Sequence, residues 1–294
     1  MKQITLEELL EAGCHFGHQV TRSNPKARDF VFEARDNIQI IDLAKTKEGL
    51  DEAAAFVRSL GERGGKLLVV GTKRQAKQIV DEEVARVRGV LKDANKDSDK
   101  SLFYITQRWI GGVLTNFQEV SKNFKKLTDL KAKIVNSEEK AKYTKKEIGQ
   151  WEKEIQRLES FYQGIVEMTG KPDALFIIDS HLEDLAVREA ASTHVETVAI
   201  VDTNADPYVI DHPIPANDDA AGSIKLIVSY ILDAWAEGIK AQKPPKVEVE
   251  KSEPKAEKLS EVKSPAKEKV KAKPEPKAKA PIKKASKPKI KKTK

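Results

Sequence analysis

The chain has 294 residues, 39% hydrophobic and 34% charged, with a net charge of +7 and one cysteine, Cys14. This length suits one large domain or two smaller ones. A single cysteine excludes an intrachain disulfide and suits a reducing cytoplasm, and no run approaches the roughly 18 uncharged apolar residues of a membrane span.

The charge is unevenly laid out. Residues 1–150 carry +6, residues 151–240 carry −11 and residues 241–294 carry +12. An anionic partner is therefore expected for the first part and the last.

The opening MKQITLEELLEAG holds Glu7, Glu8 and Glu11 and lacks the apolar run of a secretory signal. In AGCHFGHQV, Cys14, His15 and His18 lie close. A Cys-His-x-x-His group is a zinc pattern, but local sequence offers no fourth ligand and Cys14 and His15 are adjacent. A packed turn with hydrogen-bonded imidazoles is the better reading. HFGHQVTRSNPKARDFVFEARDN (15–37) mixes Arg22, Lys26, Arg28 and Arg35 with His15, His18, Phe16, Phe30 and Phe32. Cations bind phosphates, and exposed aromatic or imidazole rings stack on unpaired bases. The period-two spacing of Phe30 and Phe32 suits a strand face and assigns both to the core.

KLLVVG (66–71) reads as a buried strand, followed by a helix with Ala76, Ile79, Val80 and Val84 on one face. A nucleotide-binding loop is tested here and fails. GERGGKL has Gly61, Gly65 and Lys66, but it is one residue short, puts Leu67 where a hydroxyl belongs, and precedes the strand; Gly71 has no dinucleotide-spaced partners. Lys73 and Arg74 at the strand end either meet a phosphate as side-chain charges or are solvated first-turn residues. RGVLKDANKDSDK (88–100) reads as a polar loop, longer than a usual connection.

SLFYIT (101–106) is a second strand. QRWIGGVLTNF then leads to a pattern of Phe117, Val120, Phe124, Leu127 and Ile134, with Lys131 in the remaining seam place. Gly111 and Gly112 let the chain turn. Thr115 or Asn116 is placed to cap a helix, with Glu119 completing a capping box after Asn116. Trp109 is expected to pack the junction onto the sheet, and Arg108 is its RNA candidate. After a lysine-rich tip, Trp151, Ile155, Leu158, Tyr162 and Ile165 step by four and three. Two such seams predict an antiparallel coiled-coil hairpin with arms about 30 Å long. Its first arm carries Lys122, Lys125 and Lys126.

DALFIID (173–179) and VETVAIVDT (195–203) are further strands. Between them a helix is read with Leu182, Leu185, Ala186 and Glu189 at helical spacing, and a last helix has Ile224, Ile227, Val228, Ile231 and Trp235 on one face. Asp179, His181, Asp202, Asp206 and Asp211 lie near strand ends, where such sheets hold active sites, but no nucleophile has an adjacent base. No enzyme is expected. Beyond residue 241 the chain repeats Lys, Pro, Ala and Glu, a composition that reads as a disordered tail.

The elements predict an α/β fold of flavodoxin or Rossmann kind: an open, mostly parallel sheet flanked by helices, with an inserted antiparallel coiled-coil hairpin. The expected divisions are 1–110 and 169–240 for the sheet domain, 111–168 for the hairpin and 241–294 for the tail.

HFGH, NPK, GTKR, RWIGGVLTN, PDALFIID and AIVDTN with DP behind it occur in this order across roughly residues 5–240. The ordered set resembles the universal family of small-subunit ribosomal protein number two, in its bacterial form. The matching positions are His15–His18, Asn24–Lys26, Gly71–Arg74, Arg108, Trp109, Gly111, Gly112, Leu114–Asn116, Pro172–Ala174, Asp202–Asn204, Asp206 and Pro207. The resemblance implies a sheet domain with an inserted hairpin and no catalysis or cofactor. It also implies binding to small-subunit ribosomal RNA, and neighbours that include the large ribosomal protein number one. Cys14, the 88–100 stretch and the long tail depart from the family pattern. RNA contacts are expected at His15, His18, Arg22, Lys26, Arg28, Lys73, Arg74, Arg108, Lys122, Lys125 and Lys126. The alternative is a stand-alone nucleic-acid binder driven by the tail.

Overall fold

The computed structural model describes residues 3–94, 101–136 and 143–242. Residues 95–100 of the 88–100 stretch and residues 137–142 of the tip between the hairpin arms lie outside these residues, as does the basic tail from residue 243.

Helix α1 (Leu6–Glu11) starts at a reciprocal capping box between Thr5 and Glu8. Strands β1 (Phe16–Gln19), β2 (Val31–Arg35) and β3 (Ile38–Ile41) follow, then α2 (Leu43–Glu62), β4 (Leu67–Val70), α3 (Arg74–Asp93) and β5 (Leu102–Ile105). The hairpin arms are α4 (Phe117–Val135) and α5 (Lys145–Tyr162). The chain then returns as β6 (Ala174–Ile177), α6 (Asp184–Thr193), β7 (Glu196–Val201), β8 (His212–Pro215) and α7 (Ala221–Ala241).

Strands β4 to β8 form one parallel sheet in the order β5-β4-β6-β7-β8. Successive strand residues face opposite sides, and both sides are covered. Leu67, Val69, Phe176, Val198 and Ile200 pack under α2, α3 and α7, with Trp235 fully buried. Leu68, Val70, Leu175, Ile177 and Val201 pack under α6 and the hairpin base. Burial on both faces is why these strands read as unbroken Leu/Val/Ile runs.

The fifth strand, β8, has the sequence HPIP and escaped the pattern reading. Its prolines are tolerated because it stands at the sheet edge, where half its backbone donors have no ladder partner. Helix α3 runs to Asp93, so the first residues of the stretch read as a loop are helical. Of the residues at helical spacing around α6, Ala186 and Glu189 are buried together with Val187 and Ala190, while Leu185 and Leu182, which precedes the helix, are exposed.

The N-terminal strands make a separate three-stranded antiparallel sheet, ordered β1-β3-β2. Asp36 (φ 49°) and Asn37 (φ 65°) are both left-handed, which closes a two-residue hairpin between the paired Arg35 and Ile38. This sheet corrects the core assignment of the phenylalanines. Phe30 is half-buried and Phe32 is 72% exposed.

Candidate nucleic-acid interface

In open parallel sheets, ligands bind beyond the carboxyl ends of the strands. Here that rim collects Lys73 after β4, Asp179 after β6, Asp202 and Thr203 after β7, and Asp218 and Asp219 after β8. The rim is closed from within. The Lys73 ammonium lies 3.1 Å from Asp179, 2.7 Å from Asp218 and 2.8 Å from Asp219. Burial pulls its pKa down, but the aspartates outweigh it and hold the pKa above the ordinary lysine value. Asp218 is pushed up to about 7 by burial, with Asp179 and Asp202 repelling its charge and Lys73 offsetting only part. The Lys73 charge, expected to meet RNA phosphate, is met within the protein by these aspartates.

His18 belongs to the same network. Its Nδ1 is 3.1 Å from Asp202 and its Nε2 is 3.5 Å from Asp219, with Asn204 at 3.3 Å. The Asp202 bond raises its pKa against the opposing effect of burial. His18, Asp218 and Asp219 bring one possible ligand atom each within 4.8 Å of one another. The Lys73 ammonium already supplies positive charge there. This grouping differs from the Cys-His-x-x-His pattern of the sequence. Cys14 is fully buried, its thiol pushed up by burial while a bond to Ser223 works the other way. Burial lowers the pKa of His15, whose ring packs at a tilt of 40° against Phe16 with centroids 4.0 Å apart.

The network also fastens the N-terminal segment to the sheet. The backbone amide of His18 donates to Thr203 Oγ1 at 2.9 Å, and the Asn24 amide donates to the Thr203 carbonyl at 2.8 Å. Asn24 caps the turn at Pro25–Phe30 and Asp206 caps the turn at Pro207–Val209. Lys26 joins the two turns through a 2.5 Å contact with Asp206. A β-carbon on Gly17 would stand 2.7 Å from Thr203 Cγ2, so only glycine admits this approach. The HFGH, NPK and AIVDTN-DP motifs are one docking joint.

A second joint explains RWIGGVLTN. The buried carboxylate of Glu189 on α6 receives the Trp109 indole N–H at 3.2 Å, the Gly112 amide at 2.8 Å and the Leu114 amide at 3.2 Å. It also receives the Thr115 amide at 3.3 Å and the Thr115 hydroxyl at 3.1 Å. Burial works to raise its pKa, but these donors outweigh it and lower it. Gly112 (φ +96°) makes the turn. Trp109 is buried in the core cluster on this side of the sheet, and Gly111 lies beside Leu185 and Glu189. The expected capping box is corrected. Asn116 stands at the N-cap of α4 without a side-chain cap bond, and the Thr115 hydroxyl is committed to Glu189. Glu189 was missed as a functional residue because in sequence it is one acid on an amphipathic helix. Its place at helical spacing with Leu182, Leu185 and Ala186 was the only signal.

On the hairpin, Val120, Phe124, Leu127 and Leu130 are buried, so the seam runs through Leu130 rather than Lys131. Phe124 meets Tyr162 edge-on, and Asn123 donates to the Tyr162 hydroxyl at 2.9 Å. Several lysines of the first arm are matched by acids: Lys122 with Glu119, Lys126 with Glu154, and Lys131 with Glu159. Lys125 has no such partner among the described residues. Arg22, Arg28, Arg35, Arg74 and Arg108 are likewise exposed, and none meets a carboxylate among the described residues.

Together these features define an α/β scaffold with an inserted helical arm, its sheet end sealed by internal ion pairs and its surface carrying uncommitted cations. The family model for Ribosomal protein S2 matches residues 9–238. The chain belongs to that family and is a ribosomal protein of the small subunit.

Proposed function

We propose that this protein is a structural constituent of the small ribosomal subunit that docks on folded ribosomal RNA, mainly through phosphate contacts. The observation that carries this is the sorting of the cations. Lys73, Lys26, Lys122 and Lys126 meet carboxylates, while Arg22, Arg28, Arg35, Arg74, Arg108 and Lys125 are exposed and unmatched. Unmatched arginines on a rigid scaffold suit phosphate contacts, which fix position and carry little sequence information. His18 acts as a fastener of the N-terminal joint, and His15 packs beside Phe16.

The part with net charge −11 faces solvent or basic protein neighbours, the large ribosomal protein number one among the candidates, because RNA repels it. Residues 241–294, with +12, add salt-sensitive attraction. No cofactor or small-molecule substrate is invoked.

The test is co-sedimentation with small subunits stripped of this protein, using the full chain and a chain lacking 241–294. Both should enter the subunit. Loss of entry by the shortened chain favours the tail-driven binder and overturns docking by the sheet domain and hairpin.

A further inference from the structure

We infer that Gly164, seated on the edge-strand residue Tyr104, is a positioning residue: this second foot of the hairpin fixes the direction in which the arm projects, and through it the contact the arm makes with the subunit. The inference rests on the ribosomal reading above and concerns the foot opposite the Glu189 joint.

Strand β5 stands at the edge of the parallel sheet, with one side of its backbone unpaired by any strand. The chain returns from the hairpin onto that side. Helix α5 ends at Tyr162, and two residues later the Gly164 carbonyl accepts the Tyr104 amide at 3.2 Å. The approach is closer than a side chain admits. A β-carbon on Gly164 would overlap the Tyr104 carbonyl oxygen and stand 2.9 Å from Tyr104 Cγ. Arg88 of α3 holds the strand side of the contact. Its guanidinium lies 5.6 Å from the Tyr104 ring centroid and donates to the Leu102 carbonyl at 2.6 Å. Tyr162 and Ile165, on either side of the foot, are buried in the same cluster as Phe103 and Trp109. The arm is therefore held at two places, by Glu189 at residues 112–115 and by β5 at residue 164. One attachment leaves an arm free to pivot, and a second fixes its direction. An 18-residue arm is about 27 Å long, so a turn of about 10° at its base carries the far end about 5 Å. That exceeds what a hydrogen-bonded phosphate contact tolerates.

The test uses full-length protein carrying Lys146→Cys on α5, paired in turn with Ala55→Cys and Glu196→Cys in the sheet domain, all three exposed positions. Cys14 is buried, away from the spin label. Pulsed electron spin resonance reads the two distances in the free protein. Gly164→Ala should shift or broaden at least one of them by about 5 Å. Gly149→Ala, whose β-carbon meets nothing within 4 Å, should leave both unchanged. Arg88→Lys, which loses the planar fork, should give a smaller shift in the same direction, and it decides the matter if Gly164→Ala does not fold. Unlabelled Gly164→Ala should bind small subunits stripped of this protein about 10-fold more weakly than the wild type. Adding Lys125→Glu should then weaken binding less than it does in the wild type, because the arm already misses its site. Wild-type distances in both variants overturn the inference. A shifted arm that binds like the wild type, or losses that simply add, also overturn it. If the wild type does not bind the subunits, the ribosomal reading fails, while the distances still decide whether Gly164 sets the arm.

Discussion

Glu189→Ala is the most demanding test of the hairpin joint. The carboxylate serves five donors from Trp109, Gly112, Leu114 and Thr115, and the residue is 7% exposed. A hydrogen bond to a charged group contributes about 1.5–3 kcal/mol, and each buried donor left bare costs about 1–3 kcal/mol. These terms overlap, because the junction relaxes and water reaches Thr115. A loss of about 4 kcal/mol is expected for alanine, at the upper end for a single substitution. Glu189→Gln, which keeps one acceptor oxygen but turns an NH2 toward the N–H donors, should lose about 2–3 kcal/mol. Equilibrium urea unfolding measures the loss. Hydrogen exchange at the amides of residues 112, 114 and 115 shows whether it is local. The pH dependence has a definite sign. The folded pKa of Glu189 is depressed, so its contribution is present above the ordinary value of 4.5 and is lost as pH falls through the folded value. An alanine variant with a wild-type urea midpoint and unchanged protection of those three amides would refute the account of the joint.

Three further outcomes follow from the same geometry. Asp218 keeps its proton in the fold between 3.8 and about 7, where the unfolded chain has released it, so stability falls as pH rises through that window. His18, with its folded pKa raised, adds the same sign: its contribution is full below 6.5 and is lost as pH rises through the folded value. The urea midpoint should therefore be lower at pH 8 than at pH 6, with a smaller difference in Asp218→Asn; a wild type that gains stability over this interval contradicts the assignment. Gly17→Ala forces a contact of 2.7 Å with Thr203 and should cost about 1–3 kcal/mol in thermal or urea unfolding, partly recovered by adding Thr203→Ser. Lys125→Glu should weaken subunit binding more than Lys122→Glu, since Lys122 already meets Glu119, and should flatten the slope of log affinity against log salt by roughly 1; equal effects from the two would place the hairpin contact elsewhere.

The parallel sheet was legible because strands covered on both faces must be apolar throughout, and four of its five strands show that run. The hairpin was legible because a two-helix seam leaves a seven-residue period. The small N-terminal sheet was hidden. Strand β2 is exposed along nearly its whole length, so it has no apolar face to advertise. That is also why Phe32 was misassigned: period two shows which residues share a face, and a single bulge breaks the period without any mark in the sequence.

The site divides the same way. Sequence alone determined which residue types were available: arginines and lysines in the first half, aspartates after the strands, glycines at the junction, and an ordered set of motifs sufficient to indicate the family. Only the tertiary structure decided which charges are spoken for. Lys73, His18 and Glu189 are committed to partners 145, 184 and 77 residues away in the chain (Asp218, Asp202 and Gly112). Parallel strands bring their carboxyl ends to one rim whatever their separation in sequence, and at that rim a lysine that looks free for phosphate is neutralised by aspartates. Exposure after folding separates an interface charge from a fastener, and a linear pattern does not contain it.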